Sequence, residues 1–231
     1  MSDARAQVLG AIRKSLRRDG PSPNQQADIE SRLADPPRGP IPARGQLARG
    51  ARVELFVAMA KEAACTVTHI ADRAAVPAAI AEYLARENLP AKLRVAPDAE
   101  VADLPWSARP LLEVTSGRSD GSDEVSLTPA LAAIAETGTL MLTSGPERPT
   151  TLNFLPETHI VLLTADQVVG GMEEAWAKLR ERYGRGVMPR TVNLVTGPSR
   201  SADIEQTLQM GAHGPRRLHI ILVDGEATAE P

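Results

Sequence analysis

The stretch HIVLLT, residues 159–164, decides the architecture expected of this chain. It is a nearly continuous apolar run of strand length, and LHIILVDG, residues 218–225, is a second such run. Strands that are buried on both faces have this composition, whereas strands with one solvated face alternate apolar and polar residues. Because these runs alternate with helical segments, the sequence predicts an α/β fold with a mainly parallel sheet and helices on both faces.

The remaining elements follow from hydrophobic periodicity and length. Helices are expected at residues 53–65, 78–88, 126–138 and 165–184, the last interrupted by Gly170 and Gly171, and after Gly197. Strands are expected at residues 66–70, 92–97, 111–116, 139–144 and 191–196, in addition to the two apolar runs.

Composition excludes several classes of protein. The 231 residues carry a net charge of −3 and only 3% aromatic residues, which argues against nucleic-acid partners. The single cysteine, Cys65, rules out an intramolecular disulfide and a cluster held mainly by this chain's thiolates. Neither a membrane-spanning apolar run nor a secretory signal is recognisable, so a cytoplasmic location is expected.

We expect three parts along the chain. Residues 1–46 form an amino-terminal amphipathic helix and a proline-rich linker arm, residues 47–225 form the α/β domain, and residues 226–231 form a tail. The helix is expected at residues 3–18, and its apolar stripe must cover either its own domain or another subunit. A short helical piece is expected near residues 27–33 within the arm.

Four predicted strands end in a threonine that small or polar residues follow: Thr115, Thr143, Thr164 and Thr196. Ligands of parallel α/β sheets usually bind beyond the carboxyl ends of the strands. We therefore expect these four strand ends to converge on one rim.

The segment TGPSRS, residues 196–201, joins a predicted strand to a predicted helix. Gly197 permits a tight turn, and Pro198 fixes its own φ at about −65°. Ser199 or Ser201 can cap the helix, whose free N–H groups, together with Arg200, would suit an anion.

Two interpretations of this segment stay open. Asp203 and Glu205 already complement the dipole of the predicted helix, which favours an ordinary capped helix over a phosphate site. A carboxylate or another singly charged group remains compatible with the turn. At the far end, His213 is expected to cap the helix carboxyl terminus.

A second motif, AETGT at residues 135–139, places Glu136 at the expected end of a helix, with Gly138 forming its carboxyl-terminal turn. A carboxylate is unfavourable there, so Glu136 is a candidate base, acid or nucleophile. The alternative is a structural glutamate that accepts backbone hydrogen bonds.

A long connection between two strands carries Arg148 and Asn153. Arg148 can hold a carboxylate or pair with Glu147 or Glu157 in solvent. The histidines show no metal-ligand spacing, so no metal site is expected. The full candidate set is Glu136 as the catalytic residue, and Thr137, Gly138, Thr139, Ser144, Arg148, Gly197, Pro198, Ser199, Arg200, Ser201 and His213 for ligand or anion binding.

The ordered motifs AETGTLMLTSG, LNFLPETHIVLL, GPSRSADIE and GAHGPRRLHIILVDG resemble the lactate utilization protein C family, whose common unit is the LUD domain. The amino-terminal AQVLGAIRKSLRR is similar to the start of such proteins. The resemblance implies a fold like that of glucosamine-phosphate deaminases, ribose-phosphate isomerases and CoA-transferases. In the CoA-transferases a Ser-Glu-Asn-Gly turn supplies a nucleophilic glutamate, and residues 135–138 resemble a variant of it.

The same resemblance implies a role in oxidising L-lactate to pyruvate, with iron–sulfur clusters in partner subunits and none in this chain. Three functions stay open from the residues: an accessory subunit that binds a small carboxylate or partner subunits, a stand-alone transferase-like or isomerase-like enzyme that uses Glu136, and a purely structural interaction module.

Overall fold

The computed structural model describes residues 2–18, 20–201 and 209–224, so the predicted tail lies outside the described residues. The chain divides into two compact units, residues 1–39 and 40–231. Within the described ranges, every helix is too short or too polar to cross a membrane.

The helices are α1 (Ser2–Leu16), α2 (Pro23–Ala34), α3 (Arg49–Glu62), α4 (Val76–Arg86), α5 (Ala99–Ala102), α6 (Thr151–Phe154) and α7 (Met172–Tyr183). The strands are β1 (Thr66–Ile70), β2 (Lys92–Val95), β3 (Glu113–Ser116), β4 (Val125–Pro129), β5 (Ala132–Ile134), β6 (Thr139–Thr143), β7 (Thr158–Thr164), β8 (Val168–Val169), β9 (Val192–Val195), β10 (Arg200–Ser201), β11 (Gln209–Met210) and β12 (Arg217–Val223).

The amino-terminal unit contains α1 and α2. Ser22 caps α2 because its Oγ accepts a hydrogen bond from the Gln25 N–H, and the Gln25 Oε1 in turn accepts from the Ser22 N–H. This reciprocal capping box, with Pro23 in the first turn, explains why the helix begins inside a proline-rich arm. The apolar side chains of both helices are exposed: Val8, Leu9, Ile12, Leu16, Ile29 and Leu33.

The second unit is built on a six-stranded parallel sheet with the strand order β1-β12-β7-β4-β2-β3. Successive residues of β7 point to opposite faces, so Ile160 and Leu162 pack with α4 while Val161 and Leu163 pack with α3. The α/β prediction with helices on both faces is confirmed, and the two apolar runs form the buried strands β7 and β12.

A second sheet, with the order β8-β5-β6-β9, lies on the α3 side of the first and was not predicted. It contains antiparallel pairs, β5 with β6 and β6 with β9. Its other face is covered by α7, where Leu179 packs against Ile134 and Met141.

This second sheet overturns the helix predicted at residues 126–138. The segment forms β4, β5 and the hairpin turn at residues 135–138. Alanine favours helices intrinsically, but Ala130, Ala132, Ala133 and Ala135 are fully buried, and tertiary packing outweighs that preference. Likewise, the predicted helix at residues 165–184 begins only at Met172, because β8 precedes it.

The expected convergence of four threonine strand ends is also wrong. Thr164 and Thr115 lie at the carboxyl ends of strands in the six-stranded sheet. Thr143 and Thr196, in contrast, lie at opposite ends of the antiparallel β6–β9 pair, where Thr143 opposes Val192. Strand direction in the second sheet therefore separates residues that the sequence placed together.

Burial of His219 makes the stability of the fold sensitive to pH. The ring stacks on Tyr83 with centroids 3.8 Å apart, and Nδ1 lies 2.8 Å from Thr66 Oγ1. Burial, with a smaller contribution from Arg86, lowers the pKa of His219 from 6.5 to about 4. The unfolded chain therefore takes up a proton at a higher pH than the native state does.

We expect the stability contributed by neutral His219 to be fully present above pH 6.5 and to be lost as the pH falls to about 4. His219→Phe keeps the stacked ring and removes the titration. Between pH 6 and 4.5 the parent should lose about 1.5 kcal/mol more unfolding free energy than this variant, measured by urea denaturation. His213→Gln, which changes an exposed histidine, should follow the parent, and parallel profiles for parent and His219→Phe would refute the assignment.

Candidate functional site

A cleft of about 290 Å³ lies at the amino ends of β7 and β12, on the face of the sheet that carries α3. This edge is opposite to the one where α/β sheets usually bind ligands. The described residues that line it are Asn153, Phe154, His159, Leu194, Val195, Thr196, Gly197, Pro198, Ser199, Arg200, His213, Gly214, Pro215 and Leu218. We call it the Thr196 cleft.

Gly197 shapes one wall of the Thr196 cleft. Its φ is +80°, and a Cβ at this position would overlap the carbonyl oxygen of Ala63 just beyond α3. The wall therefore requires glycine for both its left-handed backbone and its close approach. Pro198 follows and is buried.

Ser199 connects this wall to residues 211–215. Its N–H donates to Pro215 O at 2.8 Å, its carbonyl accepts from Gly211 N–H at 2.9 Å, and its Oγ accepts from His213 N–H at 3.2 Å. Through these three hydrogen bonds, Ser199 holds together two segments that are distant in sequence and that meet at the cleft.

The expected helix cap at Ser199 or Ser201 is wrong, because Arg200 and Ser201 form β10, antiparallel to β11. The rest of the predicted helix, with Asp203 and Glu205, lies outside the described residues. His213 follows the strand β11 and lies in a bend, so it does not cap a helix as expected.

Two buried polar side chains form the floor of the cleft. Asn153 lies on α6, which is anchored by the Ser126 Oγ hydrogen bond to Leu152 O at 2.6 Å. His159 is 1% exposed, and its Nε2 lies 2.8 Å from Thr128 Oγ1. Burial lowers the pKa of His159 to about 3, so the ring is neutral near pH 7 and offers hydrogen bonding without charge.

The candidate set taken from the sequence contains neither His159 nor Asn153. Both belong to the segment LNFLPETH, residues 152–159. The available signal was a polar residue near the amino end of an otherwise apolar strand. That position faces the sheet edge, where a loop can bring a ligand against it.

A chain of hydroxyl groups links the β5–β6 hairpin to the cleft. Thr137 Oγ1 lies 2.7 Å from Thr139 Oγ1, which lies 2.6 Å from Thr196 Oγ1. Thr137 and Thr139 are therefore connected to the lining residue Thr196 without lining the cleft themselves. Gly138, between them, has a φ of +66°, and its Cβ would stand 2.6 Å from Ala60 N, so the structure gives it a packing role against α3.

Glu136 lies in the hairpin turn rather than at a helix end, so the helix-dipole argument for it is wrong. Its N–H donates to Gly170 O at 3.1 Å. Its Oε2 is buried, has no hydrogen-bond partner among the described residues, and lies 3.3 Å from where a Cβ on Gly171 would be. Glu136 is not among the residues that line the Thr196 cleft.

Ser144 and Arg148 lie beyond the other end of β6, away from the hairpin and Thr196. Ser144 Oγ accepts from Thr191 N–H at 2.8 Å. Arg148 is 6% exposed and pairs with Asp98 at 2.6 Å and Glu100 at 2.7 Å. The structure therefore does not unite Arg148 with Arg200 and Ser199 at one rim.

Further contacts extend the ion pairs of Arg148 into a network at the carboxyl end of β2, where Arg182 also approaches Asp98 at 4.0 Å. Gln167 Nε2 donates to Ala130 O at 3.0 Å and reaches Glu100 Oε2 at 3.4 Å, and Arg73 donates to Glu100 O. Among the described residues, no group of three or more histidine, cysteine, aspartate or glutamate side chains is arranged to hold a metal ion.

We expect Arg148→Met to lower the free energy of unfolding by about 3–5 kcal/mol, because it leaves the buried Asp98 carboxylate without its nearest cation. Urea denaturation measures the loss. Adding Asp98→Asn to this variant should recover part of it, since the uncompensated charge is then removed. Arg118→Met, at an exposed arginine, should change stability by less than about 0.5 kcal/mol. A stable Arg148→Met variant would contradict this assignment.

Comparison with known proteins gives the family. Residues 53–223 match the LUD domain family. A lactate utilization protein C from Geobacillus thermodenitrificans (strain NG80-2) is 43% identical over 91 residues, 39% of this chain and 38% of that protein. A protein of the same name from Bacillus subtilis (strain 168) is 37% identical over 100 residues, 43% of this chain and 42% of that protein. Each match spans less than two thirds of the relative's length.

A solved structure supports the same grouping. The crystal structure of a DUF162 family protein from Deinococcus radiodurans matches with a TM-score of 0.57 at 25% sequence identity, covering 77% of this chain and 99% of that one. The resemblance that the ordered motifs indicated is confirmed by a match that spans both sheets and the Thr196 cleft: the chain belongs to the LUD domain family.

Proposed function

We propose that this protein is an accessory component of an L-lactate utilization system and that its Thr196 cleft binds a small carboxylate. The names of its relatives support the lactate role. The observation that carries the binding role is the cleft's combination of one arginine with a neutral, hydrogen-bonding floor.

The charges around the cleft suit an anion of this kind. Arg200 lines the cleft, and no carboxylate is found among its described lining residues. Arginine can hold a carboxylate with two parallel hydrogen bonds. Asn153 and the neutral His159 can then bond an uncharged oxygen of the same ligand, such as the hydroxyl or carbonyl oxygen of a 2-hydroxy or 2-oxo acid.

The state of Cys65 supports placing the redox centres elsewhere. Burial raises the pKa of the Cys65 thiol to about 11, outweighing a hydrogen bond from the Gly197 backbone. Cys65 is also the single cysteine of the chain, whereas iron–sulfur clusters are typically held by four cysteine thiolates. We therefore assign the iron–sulfur clusters to partner subunits, with this chain contributing carboxylate binding.

We expect L-lactate or pyruvate to bind the full-length protein and Arg200→Gln to weaken binding at least about tenfold, because a charge-assisted hydrogen bond is lost. Isothermal titration calorimetry measures this. Arg118→Gln, at an exposed arginine beyond β3, is the matched control and should bind as the parent does.

The role in lactate utilization has a separate readout. In a strain that lacks the gene, the parent protein should restore growth on L-lactate and Arg200→Gln should restore it less well. Equal binding by the parent and Arg200→Gln would overturn the cleft assignment. Normal growth of the deletion strain on L-lactate would overturn the lactate role.

Glu136 supports a second candidate, a stand-alone transferase-like or isomerase-like enzyme. Its Oε2 is buried and has no partner among the described residues, which is costly unless the group serves a purpose. A Cβ at Gly171 would stand 3.3 Å from this oxygen, so glycine leaves that side of the carboxylate without a side chain. In the transferase version, the carboxylate adds to a thioester carbonyl, the thiolate leaves, and an acyl group remains on Glu136.

This candidate predicts that incubation with acyl-CoA compounds acylates the parent protein at Glu136 and leaves Glu136→Gln unmodified, as read by mass spectrometry. Glu174→Gln removes a nearby carboxylate that already accepts from Gly170 N–H at 3.2 Å, so it should be acylated as the parent is. Absence of an adduct on the folded parent would count against a nucleophilic Glu136.

A further inference from the structure

Strand β9 presents an open edge. Among the described residues, β9 pairs with β6 on one side and has no strand on the other. Ser144 N–H donates to Thr191 O at 3.0 Å, and hydrogen bonding alternates along an antiparallel pair. Val192 and Leu194 therefore direct their backbone N–H and C=O groups away from β6.

Exposed apolar side chains lie around the end of this strand. Phe154 and Leu194 both line the Thr196 cleft and are 39% and 42% exposed. Leu155 follows Phe154, and Met210 lies opposite Arg200 in the β10–β11 pair. We call the outward edge of β9 together with Phe154, Leu155, Leu194 and Met210 the β9 edge surface.

Such a surface is unusual for a strand edge that faces solvent. Edge strands that must avoid pairing usually carry charges, prolines or bulges, and β9 reads Val-Asn-Leu-Val. Exposed apolar groups that collect in one place mark an interaction site. The hydrogen-bonding groups and the apolar groups are thus both available to a strand from another chain.

The charge beside the β9 edge surface indicates what kind of strand fits. Arg200 adjoins Met210 across the β10–β11 pair. Arg216 lies against Gly211, which follows β11, and among the described residues its ion pair with the exposed carboxylate of Glu157 is a long one, 3.8 Å. Two arginines at this border favour acidic residues in the partner. They disfavour a second copy of the chain, which would bring the same cations to the interface.

We propose that the β9 edge surface docks an extended, acidic segment of a partner protein, which adds a strand beside β9. Apolar residues of the segment would contact Leu155 and Met210, and its acidic residues would meet Arg200 and Arg216. Main-chain hydrogen bonds to Val192 and Leu194 supply affinity, and the alternating side chains supply specificity.

A random octapeptide library selected against the full-length protein tests the proposal. The enriched peptides should combine apolar with acidic residues and should lack proline. In the best peptide, methylating the backbone nitrogens of one set of alternate residues should weaken binding at least about tenfold, and methylating the other set should not. The two sets should differ because a peptide docked as a strand directs the N–H groups of alternate residues toward β9 and the others away from it.

Variants of the protein supply the matched test. Leu155→Glu and Met210→Glu change exposed residues and should each weaken peptide binding at least about tenfold, because they repel the acidic segment. Leu111→Glu changes a leucine that is 91% exposed in the loop before β3 and should bind as the parent does. Fluorescence anisotropy gives the affinities, and circular dichroism checks that the variants fold.

Three results would overturn the proposal. They are failure to enrich any peptide, enrichment of peptides whose binding ignores both glutamate variants, and a parent dimer in sedimentation that Met210→Glu converts to a monomer. The last result would assign the edge to a second copy of this chain. None of these readouts involves lactate, so the proposal and the carboxylate-binding role can fail separately.

Discussion

The end of helix α3 is the constraint on which the arrangement of the site depends. Two loops approach its backbone so closely that only glycine fits: Gly138 against Met59 and Ala60, and Gly197 against Ala63. Gly138 fixes the β5–β6 hairpin and Gly197 fixes the wall of the Thr196 cleft. Because both glycines touch one rigid helix, the hydroxyl chain from Thr137 to Thr196 is held in register between them.

The placement of charge explains why the cleft lies at the amino edge of the parallel sheet. At the carboxyl edge, Arg148 is already paired with the carboxylates of Asp98 and Glu100, so the protein's own ion pairs take up charge there. Breaking these ion pairs would leave buried charges without partners. At the amino edge, Arg200 is exposed and the floor is neutral, so a ligand's charge has no competitor among the described lining residues.

The sequence predicts the six-stranded sheet well because β7 and β12 are buried on both faces, which leaves a continuous apolar signature. It fails at the second sheet. There, Ala-rich β5 is buried by α7 on one side and α3 on the other, and its composition is that of a helix. This error also affects the predicted site. Because β5 was predicted as part of a helix, Glu136 was expected at a helix end, and Thr143 and Thr196 were expected on one rim. Of the candidates, the residues at 197–200 and His213 line the cleft because Ser199 holds their two segments together, which no local pattern encodes.

The proximity of the cleft to the β9 edge has an energetic consequence. Arg200 lines the cleft and borders the edge surface, and Leu194 belongs to both. A carboxylate bound to Arg200 would neutralise much of the charge that an acidic segment needs, so each would weaken the other by the same factor. Taken together, the two proposals mean that a small acid bound in the cleft lowers the affinity of the partner segment through the shared guanidinium of Arg200. The sign of that coupling is negative, because both ligands carry the charge that Arg200 attracts.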